Sequence, residues 1–291
     1  MRSRFGEKEF SMSMEEFAEM QRVFGGFGYN PNYNKEKYED LKRQLRSGET
    51  VTIEEVCLVI FPKIFGTFDV KIDYDEAEKD ALTWLNAVLQ SEPDKNAGYD
   101  HFSWLCDCSM LYVVLGTVYA YKQEFIKSAY YFMKGIKSRT INVSMPYCDF
   151  IRQVLSKLDE MDIPLDERKG VGYEVDEPMG SCEGGAFLQA NIALDVISNM
   201  EGENGEVIVA EQGRIHMFGH LVRLGSTSSD KIPEMLDIYE TYVIDSEFNI
   251  KKIRFIFNGY FKPSFMKKIR LAKGFKLKKD NRLEDLYSVV N

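Results

Sequence analysis

The chain has 291 residues, 44% of them hydrophobic and 13% aromatic, so it is long and apolar enough to form packed cores in up to two domains. Its longest apolar runs, such as Val56 to Phe61 and Met110 to Gly116, are far shorter than the roughly 20 residues that span a bilayer, which excludes an evident membrane span. The formal net charge is −9, and it is unevenly distributed.

The N-terminal region reads as a series of helices separated by glycine and proline. Residues 1–12 are polar and lack the apolar centre of a signal peptide, so a cytoplasmic location is the expectation. Helical spacing predicts helices from Ser13 to Phe24 and from Lys35 to Arg46. A third helix starts after Thr52 and is predicted to end at Pro62. A fourth is capped by Asp73 or Asp75 and runs to about Gln90.

The central stretch carries the most informative spacing in the chain. In order it contains an aromatic residue, a Leu-Gly pair, a tyrosine, a short turn, and then a small, an aromatic and a small residue: Tyr112, Leu115, Gly116, Tyr119, Gln123-Glu124-Phe125, Ser128, Phe132 and Gly135. This order resembles the tetratricopeptide repeat over about one repeat, from Ser109 to Asn142. Ser128 and Gly135 stand where that family usually has Ala. A second half-match is formed by Ala81, Leu85, Val88 and Pro93.

The resemblance implies an array of about seven helices over residues 1–165, with a last helix from Met145 to Met161. One repeat cannot bury its own apolar face, so neighbouring helices must cover it. Such repeats form a concave surface that binds a peptide or a partner protein. The resemblance therefore implies binding residues on the first helix of the central unit, namely Tyr112, Val113 and Tyr119.

The composition changes after Pro164, where Leu165 to Gly185 is rich in glycine and is predicted to be a linker. An amphipathic helix follows from Ala186 to Met200. Beyond it, alternation predicts one hairpin turning at Gln212-Gly213 and a second hairpin from Ile238 to Tyr260.

The rest of this C-terminal region is predicted to be helical or to lie in turns. Ser228 to Asp230 could cap one helical turn, and Pro263 to Lys273 and Arg282 to Val290 read as two short helices. Residues 166–291 are therefore predicted to be a smaller two-layer domain with one helix against a four-stranded antiparallel sheet. The whole chain is then of the α+β class.

The most enzyme-like string is Gly180-Ser181-Cys182-Glu183-Gly184-Gly185. A thiol placed before a helix N-terminus would have a lowered pKa, so with His216 or His220 nearby Cys182 could act in a hydrolase. No strand is predicted before Cys182, however, and the glycines could equally form a flexible lead into the helix or an anion site.

The histidine and cysteine spacings do not predict a metal site. His216 and His220 lie on a predicted strand, where a spacing of four residues separates them by about 13 Å, too far to share one metal. Cys106 and Cys108 lack the two-residue spacing of a zinc or redox pair. Five cysteines in a chain without a secretion signal favour reduced thiols. Phosphate-binding glycine loops are also missing, so no cofactor is expected.

The C-terminal end is basic. From Asn249 to Arg282 there are twelve Lys or Arg and a single acid, which leaves the remainder of the chain at about −20. The candidate binding residues are Lys251, Arg254, Lys267, Lys268, Arg270 and Lys273. Interleaved aromatic residues favour nucleic acid or another polyanion as a ligand. Two alternatives remain, a plain solvated face and docking of the basic end on the acidic helical half of the chain or on a partner.

The leading hypothesis is an interaction or scaffold protein that binds a peptide or partner through its helical repeats. Polyanion binding by the basic segment and a hydrolase using Cys182 are the two alternatives.

Overall fold

The structure is a computed structural model that describes residues 35–94, 98–137, 145–181, 187–188, 190–212, 217–219, 221–261, 267–277 and 287–290. The chain divides into two compact units, one ending at Val154 and the other beginning at Leu155. The first unit is helical and the second contains a mostly antiparallel sheet, so the predicted α+β class is confirmed. The boundary predicted between residues 165 and 166 lies inside the second unit.

Within the described residues the helical region has six α-helices. They are α1 (Lys35–Ser47), α2 (Ile53–Phe65), α3 (Tyr74–Gln90), α4 (Tyr99–Tyr121), α5 (Phe125–Lys137) and α6 (Met145–Ser156). The predicted first helix, Ser13 to Phe24, lies outside the described residues. The last predicted helix ends early, because a short 3-10 turn at Leu158–Glu160 follows α6. An array of helices is therefore confirmed.

The prediction that a helix ends at Pro62 is wrong. Helix α2 begins with a capping box in which Thr52 and Glu55 bond each other's backbone N–H, and it continues through Pro62 to Phe65. Proline removes a single helical hydrogen bond, and the surrounding residues of α2 are buried. The helix ends at Gly66, whose left-handed φ of 68° lets its N–H bond the Pro62 carbonyl oxygen.

Helices α4 and α5 form the hairpin that the central spacing predicts. A Cβ on Gly116 would lie 2.5 Å from the Phe132 ring, and the Ser128 hydroxyl donates to the Gly116 carbonyl at 2.6 Å. At the other end, a Cβ on Gly135 would lie 2.9 Å from the Ser109 carbonyl oxygen. The helices therefore run antiparallel, and these small residues let their backbones approach closely.

Helix α4 is also apolar enough to resemble a membrane span by length and composition. Within the segment Asp100–Tyr121, the most apolar stretch of 18 residues has a mean hydropathy of 1.3, but 61% of that stretch is buried inside the protein. Core helices of water-soluble proteins have the same properties. Val113, Leu115 and Val118 have no exposed surface, as expected for the central helix of the array.

The second unit contains one longer helix and many short strands. The helix is α7 (Ala190–Ser198), shorter than the predicted Ala186 to Met200. The strands are β1 (Met179–Ser181), β2 (Phe187–Leu188), β3 (Met200–Gly202), β4 (Val207–Ile208), β5 (Ala210–Gln212), β6 (Met217–Gly219), β7 (Leu221–Thr227), β8 (Leu236–Ile244), β9 (Ile250–Asn258), β10 (Tyr260–Phe261), β11 (Lys267–Arg270), β12 (Phe275–Leu277) and β13 (Tyr287–Val290).

Within the part of the chain that the structure describes, seven strands form the main sheet in the order β13-β11-β1-β9-β8-β4, with β7 also paired to β8. The β1–β9 and β11–β13 pairs are parallel and the others are antiparallel, so the prediction of four antiparallel strands is corrected. The long hairpin is confirmed as β8–β9, with Tyr239 opposite Phe255. Strands β5 and β6 also pair, but Gln212 is opposite Met217, so four residues separate them rather than a two-residue turn.

Two predicted C-terminal helices are wrong, because strands β11 and β13 fall within them. In β11 and the residues after it, exposed Lys268 and half-buried Arg270 alternate with buried Ile269 and Leu271. That period of two is a strand pattern, and the many cations obscure it. The turn predicted at Ser228 to Asp230 is not helical either, and strand β7 precedes it.

The predicted linker is a fixed part of this unit. Its residues 165–178, called the strap below, run along β9: the Asp166 N–H donates to the Lys252 carbonyl at 2.7 Å, and the Ile256 N–H donates to the Gly172 carbonyl at 2.8 Å. Strand β1 then enters the sheet next to β9. The core beneath combines α7 with Phe255, Phe257 and other apolar residues of the sheet.

Candidate functional site

Four tyrosines and two lysines form one continuous cluster on helices α4 and α5, called the tyrosine–lysine face below. Its members are Tyr112, Tyr119, Lys127, Tyr130, Tyr131 and Lys134. The Tyr131 ring is the centre: its centroid lies 5.3 Å from that of Tyr119 and 6.2 Å from that of Tyr112, and both pairs are stacked. Tyr130 meets Tyr131 edge-on at 5.4 Å. These distances are typical of favourable aromatic pairs.

Helical periodicity explains why these residues meet. Tyr112 and Tyr119 are seven residues apart on α4, and Lys127, Tyr131 and Lys134 follow positions i, i+4 and i+7 on α5. Each set therefore occupies one side of its helix. The antiparallel packing around Gly116 and Gly135 then brings the two sides together.

The two lysines lie over the tyrosine rings. The Lys127 ammonium is 5.1 Å from the centroid of Tyr119, and the Lys134 ammonium is 4.8 Å from that of Tyr130 and 5.6 Å from that of Tyr112. All three distances fall within the range of cation–π attraction. Lys127 also pairs with Glu124 at 2.6 Å. Among the described residues, Lys134 has no carboxylate within 4.0 Å.

The inner end of the face is fixed by a charged network. The Tyr119 hydroxyl donates to Glu78 at 2.7 Å, and the Lys122 ammonium donates to Glu78 at 2.5 Å and to Asp75 at 2.7 Å. Burial opposes the charge of Glu78, but the hydrogen bonds from Lys122 and Tyr119 outweigh it and lower the pKa of Glu78. Burial, together with the bond to Glu78, raises the pKa of Tyr119, so that phenol stays protonated.

The three helical residues predicted to bind a partner are buried to different extents. Tyr112 is half-buried, whereas Val113 is fully buried against Gly135 and Tyr119 is 3% exposed. The accessible part consists of Tyr112 and Tyr131 with the two lysines. Tyr131, Lys127 and Lys134 were not predicted from the sequence, although their spacing on α5 was a signal.

The basic C-terminal residues lie on or beside two strands of the main sheet, β9 and β11, with β1 between them. Arg254 pairs with the nearly buried Glu240 at 2.7 Å, and Lys251 lies 3.8 Å from Asp166. Lys268 and Lys273 are exposed and Arg270 is half-buried. Lys267 belongs to β11, but its side chain lies outside the description.

The aromatic residues of the same segment do not line a surface where they are described. Phe255, Phe257 and Phe275 are buried in the core of the sheet, so these three rings offer no face for stacking on bases. Polyanion binding stays a prediction, and within the described residues it would depend on the exposed cations.

The candidate catalytic residues Cys182, His216 and His220 lie outside the described residues. The sequence predicted no strand before Cys182. The structure corrects this point, because strand β1 ends at Ser181, directly before Cys182. Of the other cysteines, Cys57 and Cys108 are buried; burial raises the pKa of both thiols, that of Cys108 to about 12. Neither thiol therefore has the ionisation of a nucleophile.

Among the described residues, no group of three or more His, Cys, Asp or Glu side chains is arranged to hold a metal ion. Comparisons with protein-family models, curated proteins and solved structures give no match to this chain.

Proposed function

We propose that the helical unit is a tetratricopeptide-like array that binds a peptide segment of a partner protein at the tyrosine–lysine face. The observation that carries this proposal is the stack centred on Tyr131, in which Tyr112 and Tyr131 keep part of their surface exposed. Tyrosine is enriched at protein interfaces, because its rigid ring supplies contact area at low entropic cost and its hydroxyl can hydrogen-bond.

The rigidity of the face supports the same function. Tyr119 is held by Glu78, and Lys122 ties Glu78 and Asp75 to the end of α4. The rings are therefore positioned before any partner arrives, which lowers the entropic cost of binding. The glycine and serine contacts of the hairpin support the tetratricopeptide-like assignment.

The proposed compartment is the cytoplasm. Cys57 and Cys108 are free thiols, as expected of a protein kept in a reducing environment.

Selection of random displayed peptides on the full chain tests the proposal. Peptides that bind the wild-type protein should lose about tenfold or more in affinity for Tyr131→Ala, the scale of a central interface residue. Phe102→Ala is the matched control, because Phe102 is 53% exposed and is not part of the tyrosine–lysine face. Tryptophan fluorescence should confirm that both variants fold. Selected peptides that bind Tyr131→Ala and Phe102→Ala equally well would place the binding elsewhere.

A further inference from the structure

We infer that the partner segment is acidic, and that one of its Asp or Glu carboxylates pairs with Lys134. This inference rests on the proposed function and adds the chemistry of the partner.

Two lysines on the same helix provide the first step. Lys127 and Lys134 are seven residues apart, which corresponds to two helical turns, so they lie on the same side of α5. Each ammonium lies over a tyrosine ring, Lys127 over Tyr119 and Lys134 over Tyr130. The tyrosine–lysine face therefore repeats one arrangement twice.

The two lysines differ in whether a described carboxylate pairs with them. Lys127 is neutralised by Glu124 at 2.6 Å, with both side chains 35% exposed. Within the described residues no carboxylate reaches Lys134, which lies over two rings, those of Tyr130 and Tyr112. The sequence of residues 138–144, which follow α5, contains no Asp or Glu. A carboxylate from outside the hairpin would give Lys134 the partner that Glu124 gives Lys127.

The positive charge of α5 also favours an acidic partner segment. Its sequence, FIKSAYYFMKGIK, contains three lysines and no acid, in a chain whose net charge is −9. An ammonium that is partly withdrawn from water against aromatic rings gains more from a carboxylate than a fully solvated one does. The half-exposed Tyr131, next to Lys134 on the same side of α5, offers apolar contact for the residues that flank the acid.

The probe is a fluorescein-labelled peptide of alternating Glu and Leu, compared with the matched peptide of alternating Gln and Leu. Both are titrated with the full chain, and binding is followed by fluorescence anisotropy. The Glu peptide should bind about tenfold more tightly than the Gln peptide, and the difference should shrink as salt is added.

Charge variants identify the lysine. Lys134→Gln should remove the difference between the two peptides, and Lys134→Arg should retain it. Lys79→Gln, which makes the same charge change at an exposed position on α3, should leave the difference intact. Tryptophan fluorescence should confirm that each variant is folded.

The possible failures are distinguishable. Equal binding of the two peptides, with both weakened by Tyr131→Ala, would overturn the acidic partner and leave the proposed function standing. No binding of either peptide, or the same response to Lys134→Gln and Lys79→Gln, would also overturn the inference. Self-association that disappears in Lys134→Gln, measured by sedimentation velocity, would identify a second copy of the chain as the occupant instead.

Discussion

Gly116 and Ser128, which hold the helical hairpin together, are 12 positions apart in the sequence, whereas Tyr173 and Lys273, which bond across the sheet unit, are 100 apart. The helical unit is assembled mainly from contacts between consecutive helices. The sheet unit brings together distant segments, since β1 lies between β9 and β11. A substitution in the helical unit should therefore act locally, while one in the sheet unit should loosen several segments at once.

The largest expected effect is in the centre of the sheet unit. Phe255 is fully buried. Its ring centroid lies 6.0 Å from that of Tyr173 in the strap and 5.5 Å from that of Phe275 in β12. Phe255→Ala should lower the free energy of unfolding of this unit by about 3–5 kcal/mol, because it leaves a cavity where three segments meet. Hydrogen exchange measured by mass spectrometry should show faster exchange in the strap, β9 and β12 together.

The control for this variant is Val222→Ala, since Val222 is an exposed residue of β7. Its effect should stay within about 0.5 kcal/mol. Faster exchange confined to β9 in Phe255→Ala would contradict the idea that distant segments depend on one ring.

The next effect concerns the strap. The Arg168 guanidinium binds Glu206 with two N–H groups, lies 3.2 Å from Asp166, and covers the Phe275 ring at 5.3 Å. Arg168→Gln would remove the cation that pairs with the largely buried Glu206 and would leave the buried Asp166 with the more distant Lys251 at 3.8 Å, so it should cost about 2 kcal/mol. Faster hydrogen exchange of the strap amides would measure this loss of stability.

Arg223→Gln is the matched control for Arg168→Gln. Arg223 also pairs with a carboxylate, that of Asp237 at 2.7 Å, but its side chain is 51% exposed. Solvent screens exposed ion pairs, so Arg223→Gln should have the smaller effect. If the two variants behave alike, burial of the Arg168 cluster does not hold the strap.

A smaller and more local effect is expected in the helical hairpin. Gly116→Ala would place a methyl group 2.5 Å from the Phe132 ring. Overpacking of this kind costs about 1–3 kcal/mol, more than the gain of up to about 1 kcal/mol in helix propensity. Both tryptophans, Trp84 and Trp104, belong to the helical unit, so urea unfolding followed by their fluorescence reports on this unit.

A second substitution tests the cause. Phe132→Leu shortens the side chain that a Cβ at residue 116 would overlap. The double variant should therefore lose less free energy of unfolding than the sum of the two single losses. A fully additive double variant would show that the ring contact is not the source of the strain.

The same difference between the units explains how much the sequence could predict. The α4–α5 hairpin was predictable because Gly116, Phe132 and Gly135 fall at helical spacing within one short stretch. The β8–β9 hairpin was also predictable, since its strands are joined by a short turn. Strands β1, β11 and β13 were not, because they are short and each pairs with a segment that the sequence does not place beside it.

The candidate site was predicted only in part, for a related reason. Tyr112 and Tyr119 emerged from the repeat spacing of α4. The positions of Tyr131 and Lys134 depend on which side of α5 turns toward α4, and the small residues Gly116 and Gly135 set that orientation through contacts between helices. The spacing of α5 alone does not distinguish a core stripe from a binding face.

The smallest expected effect is the acid dependence of the network behind the face. The pKa of Glu78 is lowered from 4.5 when the protein folds, so its ion pair stabilises the folded state above that pH. The stabilisation is lost as the pH falls through the folded-state pKa of Glu78. Glu78→Gln should therefore be less stable than wild type by less than about 1 kcal/mol near neutral pH, and the gap should narrow in acid.

Tryptophan-detected urea unfolding at a series of pH values measures this gap. Lys122→Met removes the cation that lowers the pKa of Glu78, so its stability should show a weaker dependence on acid as well. If the gap between wild type and Glu78→Gln stays constant through the acid range, the carboxylate contributes only as a neutral hydrogen-bond acceptor for Tyr119. In that case the local network that holds the tyrosine–lysine face would depend on hydrogen bonding rather than on charge.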